Sequence, residues 1–277
     1  MVAVALQPDI YVPDGASLDE ALRRATHVGI GAHQDDLEFM AYSAIAECHA
    51  SGEPRFFGLI LTDGTGSIRD GASSAMSAEE FALLRRQEQR EAAAIGRYSG
   101  VVQFPFSSKS LRETPDQAVR ALIEILERCR ATKFFLHSPF DKHATHRAVC
   151  RASLQALQTT RKDGPLETVV GCEVWRSLDW IPDHLKIVLD CSYQPALANQ
   201  LHTVFASQIG PGKRYDRATV GRWHANATFY QPRSADGAAA VSYGVDLREL
   251  VVGGPITLEK YVDRFLTAFC QEIRAEH

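Results

Sequence analysis

One imidazole and two adjacent carboxylates stand together in the stretch Ala32-His33-Gln34-Asp35-Asp36-Leu37-Glu38. It follows a short apolar run, Val28-Gly29-Ile30-Gly31, and precedes an apolar-periodic segment over residues 39–48. That pattern reads as strand, sharp turn and helix, which puts the acidic turn at the carboxyl end of a strand, where open α/β sheets carry their sites. His33 and Asp36 can then face one point in space, as two ligands of a metal such as zinc would. Asp35, pointing elsewhere, is free to act as a base. An ordinary helix N-terminus, with acids favoured by the helix dipole, would account for the same residues without any chemistry.

A second polar cluster, Ser138-Pro139-Phe140-Asp141-Lys142-His143-Ala144-Thr145-His146, follows the apolar run Lys133-Phe134-Phe135-Leu136-His137 and leads into a helical run over 147–158. Two histidines three apart are in many chains only an exposed polar edge. Set at the same sheet edge as His33 and Asp36, however, His146 would complete a two-His, one-carboxylate site with a position open for water. A Gly- and Asp-rich turn, Thr62-Asp63-Gly64-Thr65-Gly66-Ser67, closes the strand over 56–61 and belongs on the same face. Just beyond it, Arg69 is a candidate for binding substrate hydroxyls or a phosphate, with a solvated arginine as the alternative. The loop Gly210-Pro211-Gly212-Lys213-Arg214-Tyr215 carries two cations that could hold an anionic or hydroxylated ligand, or lie solvated.

The elements that must position these clusters follow from periodicity. Helices are predicted over 19–26, 77–95 (opened by the capping sequence Ser77-Ala78-Glu79-Glu80), 115–129, 196–205 and 258–273, and further strands over 101–104, 169–175 and 187–190. Residues 1–15 read as a lead-in lying over the surface. The stripe Tyr261, Phe265 and Phe269 on the last helix reads as core. Strands alternating with helices at these lengths give an α/β fold: a Rossmann-like, doubly wound, mostly parallel sheet with helices on both faces.

With 277 residues, 45% of them hydrophobic and 23% charged, the chain can bury one large core. A single domain over 1–277 is expected, with its core at about 26–210 and a C-terminal elaboration at about 211–277. The net charge of -4, the pI near 6.2 and the lack of basic runs argue against nucleic acid and for a small-molecule substrate. The start has no basic flank, and no stretch is long enough to span a bilayer, so no membrane partner and a cytoplasmic location are expected. Six scattered cysteines without Cys-x-x-Cys spacing read as buried thiols. No Gly-x-Gly-x-x-Gly follows the first strand, which counts against dinucleotide binding.

Taken together, the two clusters resemble motifs of the PIG-L (LmbE-like) family of zinc-dependent N-acetylglucosaminyl deacetylases. Residues 32–38 are similar to that family's Ala-His-Pro-Asp-Asp-x-Glu, and His143-Ala144-Thr145-His146 is similar to its His-Pro-Asp-His. Thr62-Asp63-Gly64, the helix over 86–96 and Ser207-Gln208 support the resemblance, which covers most of 26–210. It implies one zinc per chain on His33, Asp36 and His146, with Asp35 as general base and His143 stabilising the oxyanion or protonating the leaving amine. It also implies Gln208 as a substrate contact and a homo-oligomer. The implied reaction removes an acetyl group from an N-acetylated amino sugar or its conjugate. Hydrolysis of another small amide on the same site, or a non-catalytic Rossmann-like ligand-binding module, are the alternatives. Two residues depart from the family: Gln34 stands in place of Pro, and Thr145 in place of an Asp that would orient the catalytic histidine. Asp141, the nearest carboxylate in that turn, is expected either to orient His143 and raise its pKa or merely to cap the helix.

Overall fold

The computed structural model describes residues 7–275 apart from Pro54, Pro232 and residues 254–255. In chain order its strands are β1 (Asp9–Tyr11), β2 (His27–Gly31), β3 (Phe56–Thr62), β4 (Gly100–Phe106), β5 (Lys133–His137), β6 (Thr168–Cys172), β7 (Ile187–Asp190), β8 (Ile209–Gly210), β9 (Lys213–Arg214) and β10 (Val241–Asp246). The helices are α1 (Leu18–Arg24), α2 (Asp36–Met40), α3 (Tyr42–Ala50), α4 (Ala78–Ile95), α5 (Ser108–Glu113), α6 (Asp116–Arg128), α7 (Ala144–Arg161), α8 (Pro195–Thr203), α9 (Tyr215–Phe229), α10 (Arg248–Val251) and α11 (Leu258–Ala275).

Eight strands form one sheet in the order β1-β4-β3-β2-β5-β6-β10-β7. The five from β4 to β6 run parallel, and β2 and β3 are buried throughout. A parallel strand covered on both faces cannot alternate polar and apolar residues, which is why these segments read as unbroken apolar runs. Leu22 of α1, Leu122 of α6, Val149 of α7 and Phe265 of α11 pack into the core on one face. Ile45 of α3, Ala93 of α4 and Leu201 of α8 pack on the other. The fold is therefore α/β and Rossmann-like. From β2 the chain builds outward through β3 and β4, then returns to lay β5 against the other side of β2. The turns after β2 and β5 thus flank the switch point, where such sheets bind ligands.

Three expectations need correction. Of the anticipated lead-in, residues 1–6 lie outside the described residues, but 9–11 form β1, an antiparallel edge strand on β4. A boundary near 210 does not separate core from elaboration, because β10 enters the main sheet antiparallel between β6 and β7. Its Val241, Tyr243 and Val245 are core residues, while Ser242 and Gly244 in the same short run dilute its apolar signal. Cys270 is exposed, although the other five cysteines are buried. Tyr261 and Phe265 do lie in the core, as read from their stripe. Among the described residues no helix is long and apolar enough to cross a membrane.

Candidate metal centre

The turn after β2 is held in a conformation that an ordinary helix start does not need. Asp35 has φ 94° and ψ -28°, in the left-handed region, and caps α2 with no side-chain hydrogen bond to it. Such a backbone costs on the order of 1–3 kcal/mol and persists only where its surroundings enforce it. Here the Asp35 amide donates to Gln89 Oε1 (3.3 Å), and Arg85 donates to the Gln34 carbonyl. Leu37 locks the start of α2 onto the sheet, so close that a Cβ at Gly29 would come within 2.9 Å of it. Gln34, standing in place of a stiffening Pro, is fully buried; its amide donates to the Thr62 carbonyl and to Gln103 Oε1, each at 3.2 Å. Side-chain hydrogen bonds to β3 and β4 thus fasten this turn.

The twist sends neighbouring carboxylates in different directions. Asp36 Oδ2 accepts from the amides of Ala32 (3.0 Å) and His33 (2.7 Å). The three residues expected as ligands come together: His33 Nδ1 lies 3.3 Å from Asp36 Oδ2 and 3.2 Å from His146 Nε2, which is 3.5 Å from Asp36 Oδ1. Separations of this size suit three donors sharing one small cation at bonds of about 2 Å. Asp35 faces the Arg85 guanidinium instead, at 3.4 Å. Burial alone would raise the Asp36 carboxyl, but His146, His137 and the hydrogen bonds it receives outweigh that and hold it well below the usual range. Burial pushes Asp35 well above that range, against the pull of Arg85 and with Asp36 adding to the rise. Two carboxylates in one turn are thereby set apart, one kept ionised and one able to take a proton.

Asp141 reaches both histidines of the second cluster. Its Oδ1 accepts the backbone amide of His143 (2.8 Å), while Oδ2 lies 3.2 Å from Nδ1 of His146 and accepts the Trp175 amide (3.1 Å). It therefore orients the ring of His146. With a proton on Nδ1 shared with Asp141, Nε2 is left with a lone pair free for a metal on the side of His33 and Asp36. Burial lowers His146 to about 4, so it is neutral at physiological pH. Burial also lowers His143, with His33 acting the same way, and buried Nδ1 of His143 has no hydrogen-bond partner among the described residues. Asp141 does act to raise His143, as does Asp36, but burial and His33 outweigh both, so His143 lies lowered on balance. Asp141→Asn is expected to weaken the affinity of this centre for a divalent metal by about 10–100-fold through the loss of this support. Titration with a competing chelator measures it, and unchanged affinity would free His146 from Asp141.

The sequence reading missed two participants. His137, the last residue of β5, is fully buried, stacks on His146 (ring centroids 4.0 Å) and sets Nε2 3.2 Å from Asp36 Oδ2. Its polar ring ending an apolar run was the available signal. Arg85, buried in α4, also donates to Ser67 Oγ (3.0 Å). Nothing in its helical context separated it from its neighbour Arg86.

A cavity of about 660 Å³ opens over these groups, within the usual range for small-ligand sites. His33, Asp35, Asp36, His143 and Gln208 line it. Gln208 is held at the wall by Ser207 and Lys213. Arg69, expected as a substrate contact, is exposed and is not among the lining residues, although Gly66, Ser67 and Ile68 just before it are. The cations of the Gly/Pro loop are also committed elsewhere: Lys213 turns in to the Ile68 carbonyl, and Arg214 pairs with Asp216. Thr145 is buried and accepts from Arg112 (3.1 Å).

Residues 28–157 match the family model described as PIG-L, GlcNAc-PI de-N-acetylase. No curated protein matches the chain. Among solved structures, a conserved protein from Thermus thermophilus is 19% identical with a TM-score of 0.59, covering 80% of this chain and 94% of that one. The 4-carboxy-2-hydroxymuconate hydratase of Pseudomonas putida is 18% identical with a TM-score of 0.60, covering 84% and 98%. The N,N'-diacetylchitobiose deacetylase of Pyrococcus horikoshii is 17% identical with a TM-score of 0.61, covering 87% and 91%. This likeness shows a shared fold. Since those names include a hydratase as well as a deacetylase, the reaction must be argued from the site.

Proposed function

We propose, from the match of residues 28–157 to the PIG-L family model, that this chain is a metal-dependent amide hydrolase that removes an acetyl group from an N-acetylated amino sugar or its conjugate. The observation that carries the reading is the division of labour in one turn, with Asp36 facing His33 and His146 while Asp35 faces Arg85 on the cavity wall. His33, Asp36 and His146 would hold one zinc per chain. Two imidazoles and one carboxylate are a donor set suited to it, and the cavity side leaves a position for water. His137 is sealed from the cavity, so its place is behind Asp36.

Zinc bound there would lower the pKa of a water towards about 7 and polarise the amide carbonyl. Asp35 would take the proton of the water that attacks the acetyl carbon, and burial strengthens its hold on that proton. His143, kept neutral by its burial, donates an N–H to the oxygen on which charge develops. When the carbon–nitrogen bond breaks, Asp35 passes its proton to the departing amine and acetate remains. Trp175 and Tyr215, with ring centroids 5.7 Å apart, give the cavity an aromatic wall suited to the apolar face of a sugar ring.

Metal analysis paired with an acetate-release assay on N-acetylglucosamine and its conjugates tests the reading. About one zinc per chain is expected, with activity lost to a chelator and restored by added zinc. Bound metal without acetate release, but with cleavage of another acyl amide, would shift the reading to that amide. Neither metal nor hydrolysis would leave a ligand-binding module.

A further inference from the structure

We propose that the cavity also holds a recognition site for a phosphate or carboxylate on the substrate, formed by Arg112, Lys142 and Arg222. The three come from α5, from the turn between β5 and α7, and from α9, and all line the one cavity. None has a carboxylate within ion-pair distance among the described residues. Arg112 donates to the Thr145 hydroxyl (3.1 Å) and Arg222 to the Val174 carbonyl, so neutral partners steer both guanidinium groups, with Glu173 near enough to feel the charge of Arg222.

The acids on the same wall are already occupied. Asp35 faces Arg85, and Asp36 holds two amides and the imidazoles. Glu173 accepts from the amides of Leu178 (2.8 Å) and Tyr243 (3.0 Å) and from the Asn226 side chain (2.6 Å). Among the described residues Arg112 and Lys142 thus stand on this wall without an ion-pair partner, in a chain whose net charge is -4. A neutral substrate filling the cavity would strip water from these cations and offer nothing in return, which disfavours it. A phosphate or carboxylate would replace that water, since guanidinium forks and an ammonium match its oxygens. Lys142 adjoins His143, and Arg112 touches Thr145, next to His146. The anion and the scissile amide would thus sit on one small molecule, such as a phosphorylated or carboxylated N-acyl amino sugar.

The amide half of this statement rests on the deacetylase reading; the anion half does not. Calorimetry on the protein as purified, with glucose, glucose 1-phosphate, glucose 6-phosphate and glucuronate, tests the anion site without hydrolysis. At least one charged sugar is expected to bind about ten-fold or more tighter than glucose, with a phosphate or the carboxylate preferred according to the natural group. Arg112→Gln combined with Lys142→Gln, both at exposed positions, should remove most of that preference, and Lys142→Arg should keep it. Equal binding of all four sugars, or a preference that survives the double variant, would overturn the proposal. Charged sugars that bind tightly while no N-acetyl sugar releases acetate would keep the anion site and remove the deacetylase reading. Acetate release with equal kcat/KM for N-acetylglucosamine and its phosphates would do the reverse.

Discussion

Asp35→Asn is expected to keep its zinc and lose turnover by a factor on the order of 10² or more. Asn is nearly isosteric and tolerates the left-handed backbone that Asp35 adopts at φ 94°, so the turn should survive and only the proton acceptor should go. The variant also deprives Arg85 of its buried partner at 3.4 Å, and breaking such a pair costs roughly 3 kcal/mol of stability. A thermal melt and a metal measurement must therefore accompany the kinetics. Lost turnover in a folded, zinc-loaded variant is the expected result. Near-normal kcat would remove Asp35 from the mechanism whatever its surroundings.

Asp36→Asn, His33→Ala and His146→Ala are each expected to empty the metal centre, and activity should fall by at least as much as in Asp35→Asn. For Asp36 the amide variant is the better test, since its oxygen still accepts from Ala32 and His33. Alanine there would leave two buried amides unpaired at about 1–3 kcal/mol each. Added zinc should raise the melting temperature of the wild type, because a ligand bound only to the folded state stabilises it by about 2.7 kcal/mol at a hundred times its Kd. The three variants should show no such rise. His137→Gln separates this ligand set from the deeper grouping of Asp36, His137 and His146, whose donor atoms also lie close together. It should lower zinc affinity without abolishing binding. If it empties the site while His33→Ala stays loaded, the metal belongs with His137.

The two clusters were legible because their information is local. An apolar run followed at once by His and Asp states both where a strand ends and which side chains leave it, and parallel strands buried on both faces, such as β2 and β3, announce themselves as unbroken apolar segments. The start of α4 was readable for the same reason: Ser77 and Glu80 form the reciprocal cap that their spacing predicts. The strand β10 was not. Six residues containing Ser and Gly carry little periodic signal, and their place between β6 and β7 depends on chain segments that meet only after folding.

By itself the sequence determined that His33, Asp36 and His146 would lie at the carboxyl edge of one parallel sheet, because strand and helix periods decide on which end of an element a residue falls. Only the tertiary structure decided the direction in which each side chain looks. Asp141 holds the ring of His146 and the backbone amide of His143, Arg85 and not Arg86 meets Asp35, and Arg112, Lys142 and Arg222 line the cavity while Arg69 is not among its lining residues. The physical reason is that these outcomes rest on backbone torsions such as the φ of Asp35 and on packing between elements far apart in the chain. Neighbours in sequence share a turn, but which of them share a hydrogen bond is settled by whatever is packed against that turn from outside.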